Sequence, residues 1–299
     1  MTTRPLSPMV IFVHGGAGRF PDWRRQDAVA GCKAAATTGW QVLVDGRSAL
    51  DAVEAAVRAL EDNPVFNAGH GSVLNAAGQV EMDAGIMDGA SRATGAVTLI
   101  QHVEHPISLA RLVMTASGHA ILGGPGAEAF AQQQGVAMVD NALFRTPYRI
   151  QQYQQQVQAE TADTVGAVAL DARGNLAAAN STGGISFKLP GRVGDSPLPG
   201  AGYYADNRYG AVVTTGQGKH ILRAGLSFLI MDLLASGLSA PEAAAQAQAR
   251  FHHRVPQGQA GWIVVDAAGQ VGVGHSTQSI AHAWRAAGMG DVVGGMEAG

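Results

Sequence analysis

Apolar runs of strand length come in pairs in this chain, each pair joined by a short stretch of turn residues. That pairing constrains the fold more than any other feature. Segments 164–170 and 175–180 flank the turn residues 171–174, and segments 261–266 and 271–274 flank 267–269. Two such runs across a tight turn are a hairpin signature. Helical periodicity also arrives in pairs, over about 23–44 and 48–61, then over about 220–235 and 240–252. Ser48 is placed to cap the second of these helices. Segments 107–117 and 126–134 read as further helices. Residues 9–14 read as a buried strand ending at the glycine turn 15–18, and 212–214 as another short strand. Short strands separated by turn residues fill 71–103. Hairpins and paired helices predict an α+β protein of antiparallel sheets with helices packed outside, rather than a repeated βαβ fold. The Gln-rich stretch 148–160 has almost no apolar face and predicts a frayed surface helix or a linker.

The 299 residues are 46% hydrophobic, enough for a sizeable core. A formal charge of −3 supplies no basic field for nucleic acid and no polybasic membrane patch, so neither is expected as a partner. No stretch approaches the roughly 18–20 apolar residues that span a bilayer. The first residues lack a signal peptide's charged start and apolar core, which predicts a cytoplasmic protein. Cys32 is the single cysteine. It excludes an intrachain disulfide and reads as a small buried hydrophobe.

Familiar catalytic signatures fail. Gly194-Asp-Ser-Pro-Leu198 lacks the closing glycine of a nucleophile elbow. Gly216-Gln-Gly-Lys219 lacks the upstream glycine of a phosphate loop, and His220 replaces its Ser or Thr. His102-Val-Glu-His105 misplaces the glutamate of a zinc helix, and Gly15-Gly-Ala-Gly18 does not meet the dinucleotide spacing.

Four pieces remain: Asp163-Thr-Val-Gly-Ala-Val-Ala-Leu-Asp171, Ser181-Thr-Gly-Gly184, Leu189-Pro-Gly-Arg-Val-Gly-Asp-Ser-Pro197 and Thr214-Thr-Gly-Gln-Gly218. Each alone has an ordinary structural explanation. Together, and in this order, they resemble the plant-type asparaginase and isoaspartyl peptidase family. His14-Gly-Gly-Ala-Gly18, Asn63-Pro-Val-Phe-Asn-Ala-Gly-His-Gly71 and Met82-Asp-Ala-Gly-Ile-Met87 extend the likeness, which runs from about residue 9 to 275.

The resemblance implies the N-terminal-nucleophile (Ntn) hydrolase fold, a four-layer αββα sandwich of mainly antiparallel sheets. It implies one domain over 1–299, cut by the chain itself between Asp163 and Thr164 into 1–163 and 164–299. A free α-amine has a pKa of roughly 7.7–8.0 and serves as the base for its own hydroxyl. Thr164 gains that amine only when the bond to Asp163 is broken. Thr182 matches the family's second threonine beside the nucleophile. Thr215 and the N–H of Gly216 match the oxyanion hole. Arg192 and Asp195 match the groups that hold a substrate's α-carboxylate and α-amine, with the Gly218 carbonyl as a further acceptor. Asn67 matches a supporting asparagine near the nucleophile.

The backbone carbonyls of Leu60, Glu61, Asn63, Phe66, Ala68 and His70 match a loop that binds a structural sodium ion in relatives. No organic cofactor is implied. The substrates implied are small molecules, L-asparagine and β-aspartyl (isoaspartyl) dipeptides, and the assembly implied is a dimer of cleaved heterodimers. Two other readings stay open: an N4-(β-N-acetylglucosaminyl)-L-asparaginase, and an unprocessed binding protein of the same fold.

Three positions depart from the pattern. Asp163 stands where relatives commonly have Gly, and Lys219 where Glu is frequent. Ala260-Gly261-Trp262 replaces a more usual Gly-Gly-Leu-like entry, which is read as a packing change near the periphery.

Overall fold

The structure is a computed structural model that describes residues 8–156, 161–162 and 164–296. Strand β1 (Val10–Gly18) leads to two helices, α1 (Asp22–Val44) and α2 (Ala49–Glu61). Then come β2 (Met82–Asp88), β3 (Thr94–Ile100), α3 (Pro106–Ala116), β4 (Ile121–Gly123) and α4 (Gly124–Gln133). A 3-10 turn at Asn141–Phe144 precedes α5 (Pro147–Gln154) and the short β5 (Thr161–Ala162). The hairpin β6 (Val165–Leu170) and β7 (Leu176–Thr182) is followed by β8 (Tyr203–Asp206) and β9 (Gly210–Gly216). Three helices follow, α6 (Gly218–Ala224), α7 (Leu226–Ala235) and α8 (Ala240–Arg254). The chain closes with β10 (Ala260–Asp266), β11 (Val271–His275), β12 (Ser279–Ala286) and β13 (Val293–Gly295).

The strands form two sheets. The larger runs β13-β12-β1-β6-β7-β2-β3-β4 with β5 added on β1, and the smaller runs β11-β10-β9-β8. Strands within the two sheets pair antiparallel except β3 with β4. Side chains alternate along a strand, and here both faces are buried. Ile11 and Val13 of β1 enter the core under α1 and α2, whereas Val10 and Phe12 enter a second core with Val213 and Ile263 of the small sheet. On β10, Trp262 and Val264 turn the other way, into a third core with α7 and α8. Helix, sheet, sheet and helix are thus stacked, which is the expected αββα sandwich.

Local chemistry sets the boundaries. Ser48 and Asp51 form a reciprocal capping box at the start of α2, with Asp51 N donating to Ser48 Oγ at 3.1 Å. In α1 small residues do the packing. A Cβ at Gly39 would stand 2.9 Å from Ile11 Cδ1 and 3.1 Å from the Ala52 carbonyl, so helix, sheet and α2 meet at near backbone contact.

The structure departs from the sequence expectations at several points. β1 runs through its glycines to Gly18, with irregular pairing between His14 and Ala17, where a turn at 15 was expected. The helix expected over 220–235 is broken at Gly225, which is left-handed at φ 58°. β12, unread in the sequence, pairs along β1 from Val10 opposite Ala286 to Gly18 opposite Ser279. Helix α5 is anchored rather than frayed, because the buried Arg149 donates from Nε to the Gly71 carbonyl at 2.7 Å. Trp262 is fully buried, with Nε1 donating to the Ala244 carbonyl, so the Ala260–Trp262 change lies in the interior.

Candidate active site

Thr164 immediately precedes β6, which lies between β1 and β7 in the larger sheet. Val165 stands opposite Ser181, and one more step of that register sets Thr164 opposite Thr182 at the end of β7. Thr182 is in turn opposite Asp83 of β2. Cross-strand neighbours on one face have Cβ atoms about 4.5–5.5 Å apart. Three neighbouring strands therefore present Thr164, Thr182 and Asp83 in one row, and all three are buried. Thr164 Oγ1 shares a 2.9 Å hydrogen bond with Ser196 Oγ. Thr182 Oγ1 accepts the Gly184 amide at 3.0 Å, which shapes the turn that leaves β7.

β9 brings the small sheet to the same place. Thr215 and Gly216 pair with Gly261 and Ala260 of β10. Gly216 has φ 137°, and a Cβ there would stand 2.6 Å from Ala260 Cα and from the Gln259 carbonyl. Glycine is therefore required both by conformation and by space.

The loop after β7 carries the charged groups. A Cβ at Gly218 would stand 2.7 Å from Asp195 Oδ1 and 2.9 Å from Arg192 Nη2, so both side chains pack directly onto the first residue of α6. Asp195 is fully buried, and its Oδ2 has no hydrogen-bond partner among the described residues. Burial pushes its carboxyl up to about 7, with Arg192 opposing and Asp83 adding to the rise. Thr164, Thr182, Gly184, Ile185, Arg192, Asp195, Ser196 and Gly216 line one small cleft.

Five of the residues singled out in the sequence thus converge on one cleft, and Gly218 packs against two of them. Asn67 stands behind it. Its Nδ2 donates to the Gly184 carbonyl at 2.7 Å and its carbonyl accepts the Gly183 amide at 2.8 Å, tying the loop after α2 to the Thr182 turn. In that loop the Glu61 carbonyl accepts the His70 amide at 2.7 Å and the Asn63 carbonyl accepts the Phe66 amide at 3.0 Å. Lys219 is exposed and does not line the cleft. Asp163 lies outside the described residues, as do 157–160 of the Gln-rich stretch.

Ser196, Asp83 and His14 were not assigned roles from the sequence. Ser196 follows Asp195 directly and was legible only as part of that motif. His14 lies opposite Gly166, and Gly166 opposite Asn180. With no side chain at Gly166, the imidazole and the Asn180 amide approach across it, beside the Thr164 backbone. Burial lowers His14 to about 3, opposed by the Thr164 backbone and the Asn180 amide beside it. Among the described residues no cluster of three or more His, Cys, Asp or Glu side chains forms a metal site, and no helix is long and apolar enough to cross a membrane.

Comparison with known proteins agrees with this geometry. The asparaginase family matches residues 7–293. The human protein named isoaspartyl peptidase/L-asparaginase is 46% identical over 273 residues, 88% of each chain. The zebrafish (Danio rerio) and cattle (Bos taurus) proteins of that name are 44% and 42% identical, over 86% and 98% of this chain and 86% and 97% of their own. The chain belongs to the asparaginase family of hydrolases.

Proposed function

We propose that the chain is a threonine amidohydrolase that cleaves the side-chain amide of L-asparagine and of β-aspartyl dipeptides, after cutting itself between Asp163 and Thr164. The observation that carries this reading is the convergence of Thr164, Thr182, Arg192, Asp195 and Gly216 on one cleft. The names of the relatives support it.

The Arg192 fork takes the α-carboxylate of the substrate, and buried Asp195, whose Oδ2 has no partner among the described residues, takes the α-ammonium together with the Gly218 carbonyl. An aspartyl unit with both backbone groups free satisfies this clamp, whereas an ordinary α-peptide lacks the carboxylate. Held there, its side-chain amide meets Thr164 Oγ1. Thr164 attacks the amide carbon and its hydroxyl proton passes to the freed α-amine of the same residue. Thr182 and Ser196 fix the hydroxyl. Thr215 and the Gly216 N–H stabilise the tetrahedral oxyanion, by about 3–4 kcal/mol per donor. The amine protonates the leaving nitrogen, an ester on Thr164 remains, and water hydrolyses it by the reverse proton path.

The reading extends to one Ntn-hydrolase domain nicked into 1–163 and 164–299 and assembled as a dimer of such heterodimers. The loop carbonyls of Leu60, Glu61, Asn63, Phe66, Ala68 and His70 would hold a sodium ion. They are neutral, hard oxygen donors on a tightly turned loop, the chemistry an alkali cation takes, and the ion would brace Asn67 behind the cleft. A single buried Cys32 with no disulfide fits the reducing cytoplasm.

Maturation is tested on a denaturing gel. The purified protein resolves into two bands corresponding to 1–163 and 164–299, and Thr164→Ala remains one band. A persistent single chain in the unmutated protein overturns self-cleavage. Ammonia release from L-asparagine and aspartate release from β-aspartyl-leucine then test the substrate reading, and failure on both rejects it.

A further inference from the structure

Asp83 and Lys188 are deeply buried charged residues that the mechanism above leaves unused. Asp83 stands in register beside Thr182. Its Oδ1 accepts the Leu99 amide at 3.0 Å, while Oδ2 has no hydrogen-bond partner among the described residues. It lies within electrostatic reach of both Arg192 and Asp195. Lys188 donates from Nζ to the Glu81 carbonyl at 2.7 Å. A Cβ at Gly184 would stand 3.0 Å from Lys188 Nζ and 3.3 Å from Arg192 Nη1, so two cations approach the same cleft glycine.

We propose that Asp83 is a positioning residue of the substrate clamp, with Lys188 as its counter-charge, and that the pair sets the charge balance under which Arg192 and Asp195 meet the substrate. Asp83 and Asp195 offset Lys188 and Arg192 one for one, and buried Glu81, which also faces Lys188, is a further acidic group there. A zwitterionic amino-acid substrate carries no net charge and so adds none to a desolvated site, where unbalanced charge is costly. A β-aspartyl unit with a free ammonium and a free carboxylate is such a guest. This rests on the amidohydrolase reading.

The balance is poised. Burial raises the Asp83 carboxyl, against the pull of Lys188 and Arg192, and burial lowers the Lys188 ammonium, against Asp83 and Glu81. The charged groups facing the clamp are Asp83 on β2, Glu81 just before it, Lys188 and Arg192 on the loop after β7, and the Thr164 amine after cleavage. Gly218 brings no charge from α6. Removing the Asp83 charge makes every neighbouring proton easier to lose. Removing the Lys188 charge makes it harder. The sign is the same for the Asp195 carboxyl and for the Thr164 amine, both of which must be deprotonated to work.

The test is the acid limb of kcat/KM for L-asparagine in the matured protein. Asp83→Asn keeps an acceptor for the Leu99 amide, and Lys188→Gln keeps a donor for the Glu81 carbonyl. The expected result is that the limb moves to lower pH in Asp83→Asn and to higher pH in Lys188→Gln, by about half a unit or more, with a larger change in KM than in kcat. Limbs that stay in place, or move in the same direction, overturn the proposal and leave both residues as packing. Binding of L-aspartate read against pH by calorimetry carries the same signs without turnover, so a variant that folds but matures slowly still decides. Absence of both turnover and L-aspartate binding in the unmutated protein instead defeats the amidohydrolase reading.

Discussion

Ser196 shows at the residue scale what a motif conceals. The chain places it next to Asp195, yet the two side chains do different things. Asp195 is packed against Arg192 and α6, whereas Ser196 Oγ reaches Thr164 Oγ1 at 2.9 Å. Ser196→Ala removes one hydrogen bond, which contributes about 0.5–1.5 kcal/mol net. Its kcat/KM for L-asparagine is expected to fall roughly threefold to tenfold while processing on a gel persists; an unchanged value would remove Ser196 from the site. Thr164, Arg192 and Asp195 were singled out because their motifs, taken together and in order, resemble those of a known family; each alone read as ordinary. Asp83 was not, because its place depends on which strand lies beside β7, and no local pattern reports that.

Glu61, at the end of α2, joins elements far apart in sequence. Its Oε1 accepts the Ile107 amide at the start of α3 at 3.1 Å and the Ser181 hydroxyl of β7 at 2.6 Å. Burial pushes its carboxyl up to about 8, partly opposed by those two bonds. In the unfolded chain a glutamate titrates near 4.3. Between these values folding takes up a proton, so this group contributes less stability as pH rises through the window. Glu61→Gln is expected to melt a few degrees higher relative to the unmutated protein at pH 8.5 than at pH 5.5. A melting difference that does not change with pH contradicts the assignment.

The break between α6 and α7 is a separate case. Gly225 is left-handed, but a Cβ there meets nothing within 4 Å. Gly225→Ala therefore costs backbone strain alone, about 1–2 kcal/mol, and chemical denaturation should show that loss with activity intact. Apolar periodicity spans this break without a gap, so the sequence merged two helices. The hairpins β6–β7 and β10–β11 were legible because their turns interrupt apolar runs. β12 was not, since its buried positions are Ser279, Ile280, Ala281, His282 and Ala283, too mixed to signal a strand.

For the whole molecule, strand order decides what the proposed self-cleavage would leave behind. Reading across the larger sheet, β12, β6 and β7 follow residue 164, while β1 and β2 precede it. The two fragments alternate: β1 is held between β12 and β6, and β7 pairs with β2. A cut before Thr164 would leave the larger sheet interleaved. The fragments are expected to co-elute on size exclusion in native buffer and to part only in denaturant. Separation in native buffer would contradict this sheet order. The sandwich itself was legible as paired hairpins and helices, but this interleaving was not, because pairing between distant strands leaves no local trace.

The row Thr164, Thr182, Asp83 has a consequence for how such a site changes over time. Its spacing is counted in whole residues, because strands slip by one register step or not at all, and a single step turns every side chain to the opposite face. Thr164 and its neighbours are therefore set digitally. The loop bearing Arg192 and Asp195 belongs to no strand and can shift by fractions of an ångström. New substrates for this architecture should come from retuning that loop, while the row remains as it is.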